Sequence, residues 1–211
     1  MSSNRVVVFS KSADPGTVKT RLRELLTEDQ CLSLHIALLK DTIQRVKLFE
    51  PVLYLSGSGH LSFETDLLVR NQNGRDLGER LADAFRKELR KFVKVIVIGT
   101  DSPTFPVEQI SKAFTALDRH DAVFGPSEDG GYYLIGLRTF VPQIFEDIPW
   151  GSSTVLKETL AKIGGHSYSL LETYFDIDTP QDLIRLEKEL SKAGTLPNLR
   201  KWMQGYRRNR S

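Results

Sequence analysis

The stretch VIVIGTDSP, Val95–Pro103, decides how the chain is read. Four consecutive β-branched apolar residues, then Gly99 and Asp101, predict a strand buried on both faces, as in a parallel sheet. Such a strand delivers Asp101 to the carboxyl edge of the sheet, where open α/β sheets bind their ligands. Packing does not account for the carboxylate, because it gains nothing from the apolar strand behind it. An Asp-Ser-Pro triplet also fits a helix cap or a turn before Pro103, and the triplet alone leaves both readings open.

Outward from this strand, strands and helical patterns alternate. Val6–Ser10, Val52–Ser56 and Ala122–Phe124 are further short β-rich runs. Between them, Thr27-Glu-Asp-Gln30 has the capping-box form and precedes Leu32, Ile36, Leu39, Ile43 and Val46 at helical spacing. Asp76-Leu-Gly-Glu79 opens a second helical pattern with Leu81, Phe85 and Leu89 on one face. Pro106 suits a first turn leading to Ile110, Phe114 and Leu117, and Ser152 or Ser153 suits a cap for 155–163. Thr179-Pro180 opens a last helix with Leu183, Leu186 and Leu190 inward. This order predicts an α/β fold, a three-layer αβα arrangement around a mainly parallel sheet.

A chain of 211 residues suits one domain, placed here at 1–195, followed by a basic tail at 196–211. From Arg200 onward there are five basic residues and no acid, so without them the net charge of +2 becomes −3. The basic character belongs to that tail, expected to be solvated. The body has no basic face with interleaved aromatics, which argues against a nucleic-acid partner. No apolar run approaches a membrane span, so no membrane partner is expected. The single cysteine, Cys31, fits buried filler in a reducing cytoplasm, the expected location. Oligomeric state is left open.

Three further motifs carry chemistry. The first strand runs into FSKSADPGTVKTRL, Phe9–Leu22, where a turn with Gly16 leads toward Lys19, Arg21 and Arg23 at a helix start. Unpaired N–H groups and adjacent cations suit a di- or triphosphate, and Lys11 stands at the same edge. A solvent-facing basic helix start is the plainer reading. One glycine in this turn excludes the three-glycine dinucleotide fingerprint, and Val18 before Lys19-Thr20 excludes a Walker loop. In GPSEDGGYYLIGL, Gly125–Leu137, Gly130 and Gly131 let the backbone pass close to a ligand, and Asp129 can orient an acceptor or take its proton. The same residues also fit a plain turn. In FDIDTPQDL, Phe175–Leu183, Asp178 ends an extended segment in front of a helix. Asp101 and Asp178 brought together from separate strand ends make a hard oxygen site that suits a magnesium ion bridging phosphate oxygens.

The ordered set FSKSADPGTVKTRL, NQNGRDLGERL, GTDSPTFP, FGPSEDGGYYLIGL, IPWGSSTVL and DIDTPQDL resembles the selenodomain- or radical-SAM-associated transferase 1 family. That family is assigned to the nucleotide-diphospho-sugar transferase superfamily, whose GT-A fold is Rossmann-like, and its members are labelled as candidate glycosyltransferases. The last motif and the basic first loop also look like those of phospholactate guanylyltransferases and molybdenum-cofactor nucleotidyltransferases. The resemblance implies Asp101 and Asp178 as ligands of Mg²⁺ or Mn²⁺, with Asp101 and Asp129 catalytic. It implies Lys11, Gly16, Lys19 and Arg21 at the phosphates, Gln72 and Gly74 near the base, and Gly130, Gly131, Tyr132 and Trp150 at the acceptor. Two residues depart from the family pattern: Ser12 stands where proline is common, and Gly151 alters the usual Pro-Trp-Ser run. The expected function is a metal-dependent transfer of a nucleotidyl or glycosyl group from a nucleoside triphosphate or nucleotide-sugar to a small acceptor. A catalytically silent nucleotide-binding or regulatory protein of the same fold is the alternative.

Overall fold

The computed structural model describes residues 4–190 and 194–208. Among these residues, seven strands form one sheet: β1 (Asn4–Lys11), β2 (Val52–Ser56), β3 (Val69–Asn71), β4 (Lys94–Ile98), β5 (Ala122–Pro126), β6 (Tyr132–Leu137) and β7 (Tyr168–Leu170). Their order across the sheet is β3-β2-β1-β4-β6-β5-β7. All neighbouring pairs are parallel except those of β6, which runs antiparallel to both β4 and β5. Val95–Ile98 lies near the centre, with Val95, Ile96 and Ile98 wholly buried. A strand enclosed on both faces needs no polar alternation, which is why the run reads as continuous apolar sequence. The three-residue strands β3 and β7 lie at the two edges, too short to show a period in sequence.

Among the described residues, six helices complete the layers: α1 (Glu28–Val46), α2 (Leu77–Glu88), α3 (Glu108–Ala116), α4 (Val155–Ala161), α5 (Pro180–Glu189) and α6 (Pro197–Arg208). Alternation along β1 splits its side chains between two cores. Val7 and Phe9 join Leu81, Ala84 and Phe85 of α2, while Val6 and Val8 join Leu39 of α1 and Ile110, Ala113 and Phe114 of α3. A third core lies beyond α1, where Leu34 and Leu38 meet Leu183 and Leu186 of α5 and Leu199 and Met203 of α6. Helix α1 is therefore covered on two sides. Leu34, Leu38 and Leu39 are its most deeply buried leucines, whereas the expected Leu32, Ile36 and Ile43 are only partly covered.

Capping chemistry follows the sequence at three starts. Thr27 and Gln30 form the full box of α1, Asp76 accepts from the Glu79 N–H of α2, and Thr179 and Asp182 box α5. Helix α4 departs, with Thr154 at the capping position and no side-chain cap.

The expected solvated tail is corrected over its described part. Residues 197–208 form an amphipathic helix whose Leu199, Met203 and Tyr206 are buried at a spacing of four and three. Its start is capped from a distance: Asp41 of α1 accepts from the Asn198 and Leu199 N–H groups at 3.1 and 2.8 Å and from the Asn198 amide at 2.7 Å. Asp41 is 1% exposed, so its loss orphans two helix-start donors away from water. Asp41→Ala should cost about 2 kcal/mol in urea unfolding, with Asp41→Asn costing less. An unchanged unfolding midpoint would contradict the capping role.

No helix among the described residues is long and apolar enough to cross a membrane.

Candidate active site at the carboxyl edge of the sheet

Strands β1 and β4 are parallel neighbours, so the segments leaving their carboxyl ends emerge side by side. The loop after β1 is fastened to the end of β2. The Ser12 N–H donates to the Ser56 carbonyl at 2.7 Å, and Ser12 Oγ accepts from the Gly59 N–H at 2.8 Å. Asp14 accepts from the Ser58 N–H at 3.1 Å. Ser12 thus fixes this loop by hydrogen bonds. The chain then places Lys19 in the left-handed region (φ 49°, ψ 36°) and enters a five-residue 3-10 turn, Thr20–Glu24. The expected helix start is corrected accordingly: the cations stand on a short turn, and Arg23 faces Glu28 at 3.2 Å instead of the cleft.

A second segment reaches the same edge from far along the sequence. Residues 174–178 cross the strand ends, held by Glu128 N–H to the Tyr174 carbonyl (3.0 Å) and Ile177 N–H to the Asp101 carbonyl (2.8 Å). Side chains alternate along it. Phe175 and Ile177 are buried, so Asp176 and Asp178 share the opposite side, and both line the cleft.

Lys19 joins the two acids singled out in the sequence. Its Nζ donates to the Ile177 carbonyl at 2.6 Å and to Asp178 Oδ1 at 3.3 Å, and is ion-paired with Asp101 Oδ1. Arg21 Nη1 lies 3.7 Å from Asp178 Oδ2. Burial opposes the Lys19 charge, but Asp101 and Asp178 outweigh it and hold the ammonium above its ordinary pKa. Burial likewise opposes the Asp101 charge, and Lys19 outweighs it, so Asp101 is held below the usual carboxylate value.

The cleft has a volume of about 570 Å³. Of the residues singled out in the sequence, Lys11, Lys19, Arg21, Gln72, Asp101, Asp129, Tyr132 and Asp178 line it. The Gln72 amide nitrogen donates to the Ser10 and Tyr54 carbonyls at 2.9 and 3.0 Å, leaving its oxygen as the free acceptor. Asp129 Oδ1 accepts from the Gly131 N–H at 2.9 Å and from the Ser127 hydroxyl.

Gly16, Gly74, Gly130, Gly131 and Trp150 are not among the lining residues. Gly130 (φ 91°) presses its α-carbon against the Ser153 backbone, where an added Cβ would sit 1.9 Å from the carbonyl oxygen. Its close approach is to the chain's own backbone. Trp150 stands edge-on to Tyr132 with centroids 6.4 Å apart.

The cleft also contains residues that the sequence reading passed over. One is Asp176: burial pushes its pKa up to about 7, with the Ser102 hydroxyl opposing and Asp101, Asp129 and Asp178 adding to the rise. The two-residue spacing of Asp176 and Asp178 was the available signal. Arg80 of α2 lines the cleft and donates to the Gly74 carbonyl at 3.0 Å. His35 lies beneath the first loop, 4% exposed, its Nε2–H donating to the Lys11 carbonyl at 3.1 Å. Burial lowers its pKa, so the fold holds the neutral ring. That stability is present above the unfolded value near 6.5 and is lost as pH falls through the lowered one. Relative to His35→Gln, the wild type should therefore lose stability in urea unfolding as pH falls below 6.5. Parallel pH profiles for the two proteins would contradict this.

With this geometry in place, comparison with known proteins gives a family. The model for uncharacterized proteins conserved in bacteria, DUF2064, matches residues 25–152. The chain belongs to the DUF2064 family. This DUF2064 protein is 30% identical to a crystal structure from Desulfovibrio desulfuricans G20 described as a candidate nucleotide-diphospho-sugar transferase; the match has a TM-score of 0.84 and covers 98% of this chain and 99% of the other. It is 25% identical over 174 residues to the 2-phospho-L-lactate guanylyltransferase of Methanocaldococcus jannaschii, covering 80% of this chain and 76% of that protein. The inositol-1-phosphate CTP transferase of T. maritima shares its fold with a TM-score of 0.56 at 16% identity, covering 90% and 96% of the two chains. Nucleotidyltransferases and nucleotide-diphospho-sugar transferases are thus the proteins this DUF2064 member resembles.

Proposed function

We propose that this DUF2064 protein is a nucleotidyltransferase that uses a nucleoside triphosphate and a small acceptor. The observation that carries the reading is Lys19 Nζ seated between Asp101 and Asp178 at the carboxyl edge of the sheet. Beside that site, Lys11, Arg21 and Arg80 line the same cleft, a concentration of cations suited to a triphosphate. The likeness to the guanylyltransferase and the CTP transferase supports the same reaction class.

The donor set fits a divalent cation. Two carboxylates and the Ile177 carbonyl converge on a single positive centre, and all three are hard oxygen donors. No group of three or more His, Cys, Asp or Glu side chains suited to a metal occurs among the described residues. Magnesium bound through one or two carboxylates takes its remaining oxygens from water and substrate phosphates, so two acids are enough. Asp101 and Asp178 would hold Mg²⁺ or Mn²⁺, which supplies neutralisation of phosphate charge.

In the proposed reaction an acceptor oxygen attacks the α-phosphorus, the bond to the bridging oxygen breaks, and pyrophosphate leaves. Lys11 and Arg21 face the departing phosphates and offset their charge. Asp129, with Oδ1 fixed by the Gly131 N–H, orients the acceptor and takes a proton from it when the attacking group is a hydroxyl. Gln72, its nitrogen engaged, offers an oxygen to a nucleobase N–H.

Donors labelled at the α- or γ-phosphorus test the reaction class, alongside nucleotide-sugars labelled in the sugar, each incubated with Mg²⁺ and an acceptor panel. Nucleotidyl transfer predicts the α-label in the product and the γ-label in pyrophosphate. Sugar label in the product, with none from triphosphates, would establish glycosyl transfer instead.

A further inference from the structure

Lys19 is held more tightly than a phosphate contact requires. Its side chain is 3% exposed. An ammonium donates three hydrogen bonds, and the three oxygens around this one, Asp101 Oδ1, Asp178 Oδ1 and the Ile177 carbonyl, match that number. Lys19 itself has a left-handed backbone, a conformation uncommon outside glycine and concentrated at functional sites. The ammonium therefore stands among the oxygens assigned above to a divalent ion. Two positive centres in that space repel each other, so one must leave before the other enters.

We propose that Lys19 is a resident cation: with no nucleotide bound, its ammonium holds Asp101 and Asp178 in position and keeps a free divalent ion out. The inference rests on the assignment of those two carboxylates as metal ligands. A nucleoside triphosphate supplies the missing step, because its phosphates offer the ammonium new acceptors in the same cleft while the divalent ion they carry takes over the carboxylates. Pairing is then exchanged rather than lost. Metal enters with the nucleotide and not ahead of it, and a cleft holding four acids does not collect stray divalent ions. Arg21 does not take this role: its side chain is 64% exposed and its one contact with these acids, at Asp178, is 3.7 Å.

The test is Mn²⁺ titration of the full chain without nucleotide, following the electron paramagnetic resonance signal of free Mn²⁺. Lys19→Met should bind one Mn²⁺ at least about tenfold more tightly than the wild type, since a positive charge has left its place. Lys19→Gln, which keeps the stem and a hydrogen-bonding end, should behave alike and carries the test if the methionine variant fails to fold. Lys19→Arg, which keeps the charge, should stay as weak as the wild type. Adding Asp101→Asn to Lys19→Met should abolish the gained site. Equal Mn²⁺ affinity in the wild type, Lys19→Met and Lys19→Gln, at a site still lost with Asp101→Asn, would overturn the resident-cation role and leave the ligand assignment standing. Absence of any Mn²⁺ site in these proteins, with or without nucleotide, would overturn both.

Discussion

Asp101→Asn should lower turnover with a nucleoside triphosphate and Mg²⁺ by about a thousandfold or more, with the circular dichroism spectrum unchanged. The amide keeps the size and one oxygen of the carboxylate but removes the charge that balances a divalent ion. Folding should tolerate the change, because the amide fills the same space and Lys19 keeps Asp178 and the Ile177 carbonyl. The loss should fall on kcat as well as on KM, since charge builds up on the phosphates as the bond breaks. Asp66→Asn is a fair control: Asp66 lies on the surface opposite Lys47 and should leave turnover as it was. Full activity in Asp101→Asn would remove this residue from the chemistry. A nucleotide-binding protein without turnover would instead bind nucleotide in both forms and give no product in either.

Asp176→Asn should make the protein more stable at pH 8. The pKa of Asp176 is raised from 3.8 to about 7, so the fold favours its protonated form. The favourable contribution is complete below the unfolded value and is lost as pH rises through about 7. Above that pH the wild type bears an ionised carboxylate near three others, and the variant does not. Each pH unit between the two values is worth about 1.4 kcal/mol, which places the gain on the order of 4 kcal/mol. Asparagine retains an oxygen to accept from the Ser102 hydroxyl, so the local hydrogen bond survives. Urea unfolding should show the variant well above the wild type at pH 8 and level with it at pH 4. Equal stability at pH 8 would mean that the acid cluster carries no such strain. Stability given up to crowd carboxylates into one cleft is the pattern expected of a working site.

The central strands and the two acids were legible in sequence because each produced a local signal. Val95–Ile98 is uninterrupted apolar sequence because both faces are covered, and Asp101 and Asp178 each end an extended run. Asp176 went unread because an acid three residues before the capping Thr179 looks like turn chemistry; only the fold reveals that it shares a side with Asp178. His35 and Arg80 lie inside helical patterns, where nothing local separates a cleft-facing residue from a packing one. Helix α6 was masked by its charges: Leu199, Met203 and Tyr206 keep helical spacing, but the basic residues between them read as a tail. Its docking depends on Asp41, a partner 157 positions away along the chain, and no local window contains both. The glycines of the Glu-Asp-Gly-Gly turn suggested a close approach to a ligand, whereas Gly130 closes on the Ser153 backbone.

The account turns on one place in the cleft, and Mn²⁺ can report on it directly by anomalous scattering. Crystals grown with Mn²⁺ and a nucleoside triphosphate analogue that resists cleavage at the α-phosphorus should show an anomalous peak about 2.1 Å from carboxylate oxygens of both Asp101 and Asp178. The Lys19 ammonium should have moved off those oxygens and onto the phosphates. A peak remote from both acids, or a bound nucleotide with Lys19 still seated between them, would contradict the account.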